Sequence, residues 1–172
     1  EAYEKSGCCR DVVVNIQGDE PFIMPSQIAT VCDLFDSADT QIATLVKPFS
    51  PQDSIADLEN PNSPKVVVDG SNNAVYFSRS VIPYLRGIEK SEWLSRHTFF
   101  KHIGLYAYKA DVLKQVTRMP QSANEICESL EQLRWIDNGL KIKVGQTETQ
   151  TIGIDTPEDM ARAEEFLKSI EK

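Results

Sequence analysis

Val12-Val13-Val14-Asn15-Ile16-Gln17-Gly18-Asp19-Glu20-Pro21 is an apolar, β-branched run that breaks abruptly into amides, a glycine, two carboxylates and a proline. The run predicts a buried strand, and a parallel α/β sheet is the usual home for one. Open α/β sheets place their ligand crevices at the carboxyl ends of such strands. Gly18 allows backbone to approach a ligand, and Asp19 suits a hard cation there. The competing reading is a strand-ending turn with solvated acids.

The 172 residues fit one domain, residues 1–172, with enough chain to bury a core. A net charge of −8 argues against nucleic-acid binding, which needs a basic face. It leaves phosphate-bearing substrates open, because a divalent cation can bridge acidic protein to acidic ligand. No apolar stretch reaches the length of a bilayer span, so membrane insertion is not expected, and the opening residues do not read as a signal peptide. Cys8, Cys9, Cys32 and Cys127 lack metal-ligand spacing and read as reduced thiols of a cytoplasmic protein. Cys32 and Cys127 fall within apolar helical patterns.

A helix is predicted to open near Pro25, with Ile28, Val31, Cys32 and Phe35 on its apolar face. Residues 41–47 read as a second strand, and 48–64 as a long connection with one short helix. Residues 65–69 and 74–80 read as two strands of a hairpin around Gly70-Ser71-Asn72-Asn73. The stretch 88–99 shows no period. In 101–109 the alternation puts Ile103, Leu105 and Ala107 on a core face, and His102, Gly104, Tyr106 and Tyr108 on the opposite one. Helices are predicted over 110–119 and 123–138, the second with Ile126, Leu130 and Leu133 as its stripe and Gly139 as its stop. Residues 141–144 and 149–154 read as closing strands. Thr156-Pro157-Glu158-Asp159 has the hydroxyl, proline and acids of a helix start. The expected fold class is α/β: a mixed, mainly parallel sheet flanked by helices.

Asp19 and Asp155 each end an apolar strand and precede a proline by two residues. On neighbouring strands their carboxylates could share a magnesium ion, whose octahedron is commonly completed by phosphates and water. Asp155 could equally flank a helix cap. Arg79 and Arg86 could bind a carboxylate through planar forks, or be solvated. His102 and Tyr106, on one strand face, could hydrogen-bond ligand hydroxyls, or be packed core residues. Glu131 and Gln132 sit mid-helix. No glycine-rich nucleotide fingerprint, phosphate loop or serine-hydrolase elbow is present, and a count of two histidines argues against a histidine-rich zinc site.

Several segments occur in a specific order. Asn15-Ile16-Gln17-Gly18-Asp19-Glu20-Pro21 is followed by Asn60-Pro61-Asn62, Lys65-Val66-Val67, Tyr76-Phe77-Ser78-Arg79 and Ile82-Pro83. Then come Lys101-His102-Ile103-Gly104-Leu105-Tyr106, Leu130-Glu131-Gln132-Leu133-Arg134 and Gly153-Ile154-Asp155-Thr156-Pro157-Glu158-Asp159. From about Asp11 to Leu167 the chain resembles the CMP-Kdo synthetases, cytidylyltransferases for 3-deoxy-manno-octulosonate (Kdo). The resemblance implies a nucleotide-diphospho-sugar transferase-like (Rossmann-like) fold. It also implies transfer of a cytidylyl group from CTP to Kdo, giving CMP-Kdo and pyrophosphate for lipopolysaccharide synthesis. Asp19 and Asp155 match the family's magnesium-binding, catalytic acids. Gln17, Arg79, Arg86, His102, Tyr106, Glu131 and Gln132 match positions around the acidic sugar. A homodimer is implied for the full-length enzyme, with the hairpin around Gly70 as a candidate interface.

The resemblance also marks a departure. Family members begin with a strand and an arginine- and lysine-bearing loop that grips the triphosphate, and nothing like it occurs here. The expectation is a C-terminal portion of the enzyme, inactive alone. Two alternatives stand: a cytidylyltransferase for another acidic sugar, sialic-acid-like, or a non-catalytic sugar-binding or dimerisation module.

Overall fold

The computed structural model describes residues 2–18, 20–149, 160, 161, 163, 164 and 166. Within them lie strands β1 (Val12–Ile16), β2 (Ile42–Pro48), β3 (Lys65–Val68), β4 (Ala74–Ser78), β5 (Phe100–Lys109) and β6 (Ile142–Gln146). The helices are α1 (Ala2–Lys5), α2 (Pro25–Asp33), α3 (Ile55–Glu59), α4 (Trp93–Arg96), α5 (Ala110–Val116), α6 (Ala123–Glu128) and α7 (Gln132–Asp137).

The strands form one mixed sheet in the order β4-β3-β5-β2-β6, with β1 also paired to β5. Strand β5 is long enough to hold three partners. Its first residues pair with β3, its last five with β1, and its other edge with β2, all antiparallel. Consequently β1, β2, β3 and β6 run the same way, as expected, yet β2 and β6 form the one parallel ladder among the described residues. A strand running against the majority through the middle turns most contacts antiparallel.

The two faces predicted for β5 are both packed, the one carrying His102, Tyr106 and Tyr108 as well as the core face. Ile103, Leu105 and Ala107 pack with Val31 of α2, Ala43 and Leu45. Tyr106 and Tyr108 pack with Val112, Val116, Leu133 and Trp135 of α5 and α7. A central strand with helices on either side has no wet face. The β3–β4 hairpin also joins the second cluster through Val66, Ala74 and Phe77. Its tip bonds β6: the Val144 amide donates to Asn72 O, and Lys143 Nζ to Ser71 O.

Local chemistry sets the helix limits. Pro25 opens α2, where the Met24 amide donates to Gln27 Oε1 at 2.9 Å. Ser54 and Asp57 cap α3 reciprocally, as Ser122 and Glu125 cap α6. The helix predicted over 123–138 is two helices, broken where Ser129 turns left-handed at φ 51°. The break rotates the stripe, so Ile126 is exposed while Leu130 and Leu133 are buried. Gly139, at φ 80°, ends α7 as predicted. The aperiodic stretch 88–99 contributes Trp93, Leu94 and Phe99 to a third core with Phe49 and Leu58. All four cysteines are free and exposed, including Cys32 and Cys127, which the helical pattern places toward apolar faces. The strand predicted over 149–154 and the helix start at Thr156 fall outside the described residues, as do Asp19 and Asp155.

Candidate functional site

A β-bulge in β5 organises the candidate residues. Thr44 stands opposite Tyr106 but Leu45 stands opposite Ile103, so Gly104 and Leu105 have no partner residues on β2. The turn after β1 comes down on this bulge. The Glu20 amide donates to Gln17 O at 3.1 Å, closing a turn over 17–20. A Cβ added to Gly104 would lie 3.0 Å from Glu20 Oε1. Glycine at 104 therefore lets Glu20 seat against β5.

On either side of the bulge are His102 and Tyr106, their ring centroids 5.2 Å apart. His102 also meets Phe77 edge-on at 5.2 Å, and its Nε2 lies 3.1 Å from Thr44 Oγ1. Burial pushes the imidazole down to about 3, so the ring is neutral. Burial raises the Tyr106 phenol well above its ordinary value, helped by the nearby Tyr108. The Tyr106 hydroxyl is buried without a hydrogen-bond partner. Trp135 packs edge-on to Tyr106 and Tyr108, with centroids 5.1 Å and 5.5 Å away, and fixes the orientation of both rings.

Glu131 and Gln132 belong to the junction of α6 and α7 rather than the middle of one helix. Glu131 is exposed and lines a cavity of about 380 Å³ with Asn15 and Tyr108; burial raises the Tyr108 phenol, and the Glu131 charge adds to the rise in both tyrosines. Gln132 is buried, and its amide nitrogen has no partner. An unpaired buried donor is uncommon enough to mark a place for a ligand or water.

Arg79 holds this junction in place. Its Nε donates to Glu128 O at 2.7 Å, one terminal nitrogen to Pro61 O at 2.9 Å, and the other to Ser129 O at 3.2 Å. The Glu128 carboxylate in turn accepts from the Ser78 hydroxyl at 2.6 Å and the Arg79 amide at 2.9 Å. Beside them Lys65, fully buried, donates to Asn60 O at 2.9 Å, and burial lowers its ammonium to about 8. Two cations thus tie the Asn60-Pro61 turn, and Arg79 carries that tie to the segment leading into Glu131.

The structure brings Glu20, His102, Tyr106 and Glu131 around β5. Gln17 is exposed at the end of β1, and Arg86 is exposed on the loop between β4 and α4. Sequence reasoning missed Thr44, Lys65 and Glu128. Thr44 and Lys65 hide in strands that read as apolar, where one polar side chain among Val, Ile and Leu is the available signal. Among the described residues no group of three or more His, Cys, Asp or Glu forms a metal centre. The donors for Mg²⁺ would be Asp19 and Asp155, an all-oxygen set of the hard kind that ion prefers.

The chain matches the cytidylyltransferase family over residues 1–142. It is 64% identical to a 3-deoxy-manno-octulosonate cytidylyltransferase of Phocaeicola vulgatus, covering 99% of this chain and 68% of the relative. A protein of the same name from Parabacteroides distasonis is 65% identical, covering 97% and 67%. The chain therefore spans about two thirds of these relatives' length. A CMP:2-keto-3-deoxy-manno-octonic acid synthetase, solved in complex with CTP, superposes with a TM-score of 0.83 at 34% identity, covering 98% of this chain and 65% of that one. The inositol-1-phosphate CTP transferase of T. maritima shares the fold, with a TM-score of 0.56 at 18% identity over 98% of this chain and 60% of that one. By these likenesses the chain belongs to the cytidylyltransferase family, in its 3-deoxy-manno-octulosonate branch.

Proposed function

We propose that the chain is the sugar-binding part of an enzyme that joins CTP to Kdo, forming CMP-Kdo and pyrophosphate. One observation carries the reading. The bulge at Gly104-Leu105 seats Glu20, the residue that follows Asp19 in the chain, against the strand that carries His102 and Tyr106.

In the reaction, the anomeric hydroxyl of Kdo attacks the α-phosphorus of CTP in line, and pyrophosphate leaves. Asp19 and Asp155 would hold Mg²⁺, which when bound offsets charge developing on the α-phosphate. His102, kept neutral by burial, is a poor proton acceptor and serves as a hydrogen-bonding group for the sugar. Tyr106 and Gln132 bring buried polar atoms without protein partners, suited to sugar hydroxyls. Arg86 and Gln17, both exposed, are available to the sugar carboxylate and to the approach of substrate. Arg79, with three carbonyls already held, acts on the sugar chiefly by fixing the Glu131-Gln132 junction. Acceleration comes mainly from positioning and electrostatics, as in other phosphoryl transfers.

The reading includes a homodimeric, cytoplasmic enzyme. Four free thiols support a reducing compartment, and no helix among the described residues is long and apolar enough to cross a membrane. The test is pyrophosphate release from CTP with Kdo or N-acetylneuraminate, alongside calorimetric titration of each sugar. Selective heat or turnover with Kdo supports the assignment. Selectivity for N-acetylneuraminate, or heat from neither sugar, overturns it.

A further inference from the structure

Thr44 is wholly buried in β2, at the bulge where the register with β5 slips. Its hydroxyl lies 2.9 Å from Leu105 O, 3.4 Å from Ile103 O and 3.1 Å from His102 Nε2, with the Tyr106 phenol also close by. A threonine hydroxyl has one proton to donate and two lone pairs to offer. Backbone carbonyls only accept, so the proton goes to a carbonyl, and the shorter contact makes that carbonyl Leu105 O. The Nε2 contact is then a bond in which the ring donates. Were Nε2 unprotonated, its lone pair would compete with Leu105 O for a single proton. One of the two acceptors would then lose the Thr44 proton.

We infer that Thr44 is a positioning residue that fixes His102 as the neutral Nε2–H tautomer and leaves Nδ1 as a bare acceptor. The ring cannot easily escape this arrangement, because Phe77 and Tyr106 pack against it and its own amide is bonded to Pro64 O at 2.9 Å. Burial opposes the imidazolium that would make both nitrogens donors. Resting on the function proposed above, this sets a polarity for the site. A group that meets Nδ1 must bring a proton, so a sugar hydroxyl is accepted there and a carboxylate is turned away. Kdo would therefore bind with its carboxylate directed away from His102.

The protein has two histidines, His97 and His102, which makes the tautomer directly observable. Long-range ¹H–¹⁵N correlation spectra of the ¹⁵N-histidine-labelled chain, with His97→Gln for assignment, report which nitrogen carries the proton. The expected result is a protonated Nε2 and a pyridine-like Nδ1 at neutral pH. Thr44→Val, which keeps shape and removes the hydroxyl, should give a mixture of tautomers, and Thr44→Ser should restore the single form. An Nδ1–H ring or an imidazolium in the unaltered protein overturns the inference whether or not the valine variant folds. A single Nε2–H form persisting in Thr44→Val overturns it too. The ligand arm is separate: Kdo affinity should fall roughly tenfold in Thr44→Val, the equivalent of one hydrogen bond, and recover in Thr44→Ser. Absence of Kdo binding by the unaltered protein overturns the proposed function, while the tautomer seen in the spectra still decides the role of Thr44.

Discussion

Arg134 grips Glu125 with two nitrogens, Nε to Oε2 at 2.8 Å and a terminal nitrogen to Oε1 at 2.7 Å, with both side chains largely buried. The same glutamate caps α6 by accepting from the Ser122 amide, and the same arginine reaches Met119 O at 3.0 Å. One ion pair therefore joins the start of α6, the end of the preceding turn and the body of α7. Removing one partner leaves a buried charge behind. Arg134→Met should lower stability by about 3 kcal/mol, read as a lower urea midpoint. Arg134→Lys should recover little, because an ammonium cannot reproduce the planar fork.

Gly145 offers a sharper steric test. A Cβ there would stand 2.9 Å from Leu45 Cδ2 and 3.2 Å from Leu34 Cδ1, inside the layer between α2 and the sheet. Gly145→Ala should cost about 1–3 kcal/mol by overpacking. Pairing it with Leu34→Ala should recover part of the loss, and equal loss in the double variant would show that the clash lies elsewhere.

His102 makes stability depend on acid. Its folded value, about 3, lies below the ordinary 6.5, so between these limits the unfolded chain binds a proton that the folded chain refuses. Its contribution is complete above pH 6.5 and is lost as pH falls toward 3. The loss should be on the order of 1 kcal/mol per pH unit in that window. Denaturation midpoints of His102→Gln should show a shallower decline over the same range, and an identical slope would place the ring in water.

The metal assignment rests on activity. In the full-length enzyme, chelation should stop cytidylyl transfer and added Mg²⁺ should restore it. Asp19→Asn should lower turnover by at least ~100-fold, the scale of losing one preorganised electrostatic group. Near-normal turnover in that variant would remove Asp19 from the metal site.

Much of the frame is legible because it depends on local chemistry. The β-branched run at 12–16, the Asp-Gly-Ser-Asn-Asn turn between β3 and β4, and the Pro25 helix start each announce themselves within a few residues. Yet β1 is half-exposed and not the buried strand its run predicts, being paired on one edge only among the described residues. Ser129 does not, since a left-handed residue that is not glycine leaves no mark on the pattern, and the broken helix reads as continuous. Strand β5 misleads for a different reason. Alternation separates two faces but cannot say that helices cover both. The site is legible in residue types and illegible in geometry. His102 and Tyr106 can be placed on one face, but the bulge that joins them to the acidic turn depends on a register slip against a strand nearly sixty positions away. Arg79 shows the converse, a guanidinium suited to an acidic ligand that the fold occupies with three of its own carbonyls.

The triple pairing of β5 also bears on how the protein is made. Strand β1 leaves the ribosome well before its partner: Ile16 meets Leu105 and Val12 meets Lys109, so that partner is synthesised about ninety residues later. At ~5–20 residues per second the interval is on the order of ten seconds. Through that time a run of valine and isoleucine stands with unpaired backbone groups, the kind of edge that recruits other chains. Strand β2 waits as well, because β5 and β6, the partners of its two edges, both follow it in the chain. Arrival of residues 100–109 therefore closes three ladders in one stroke.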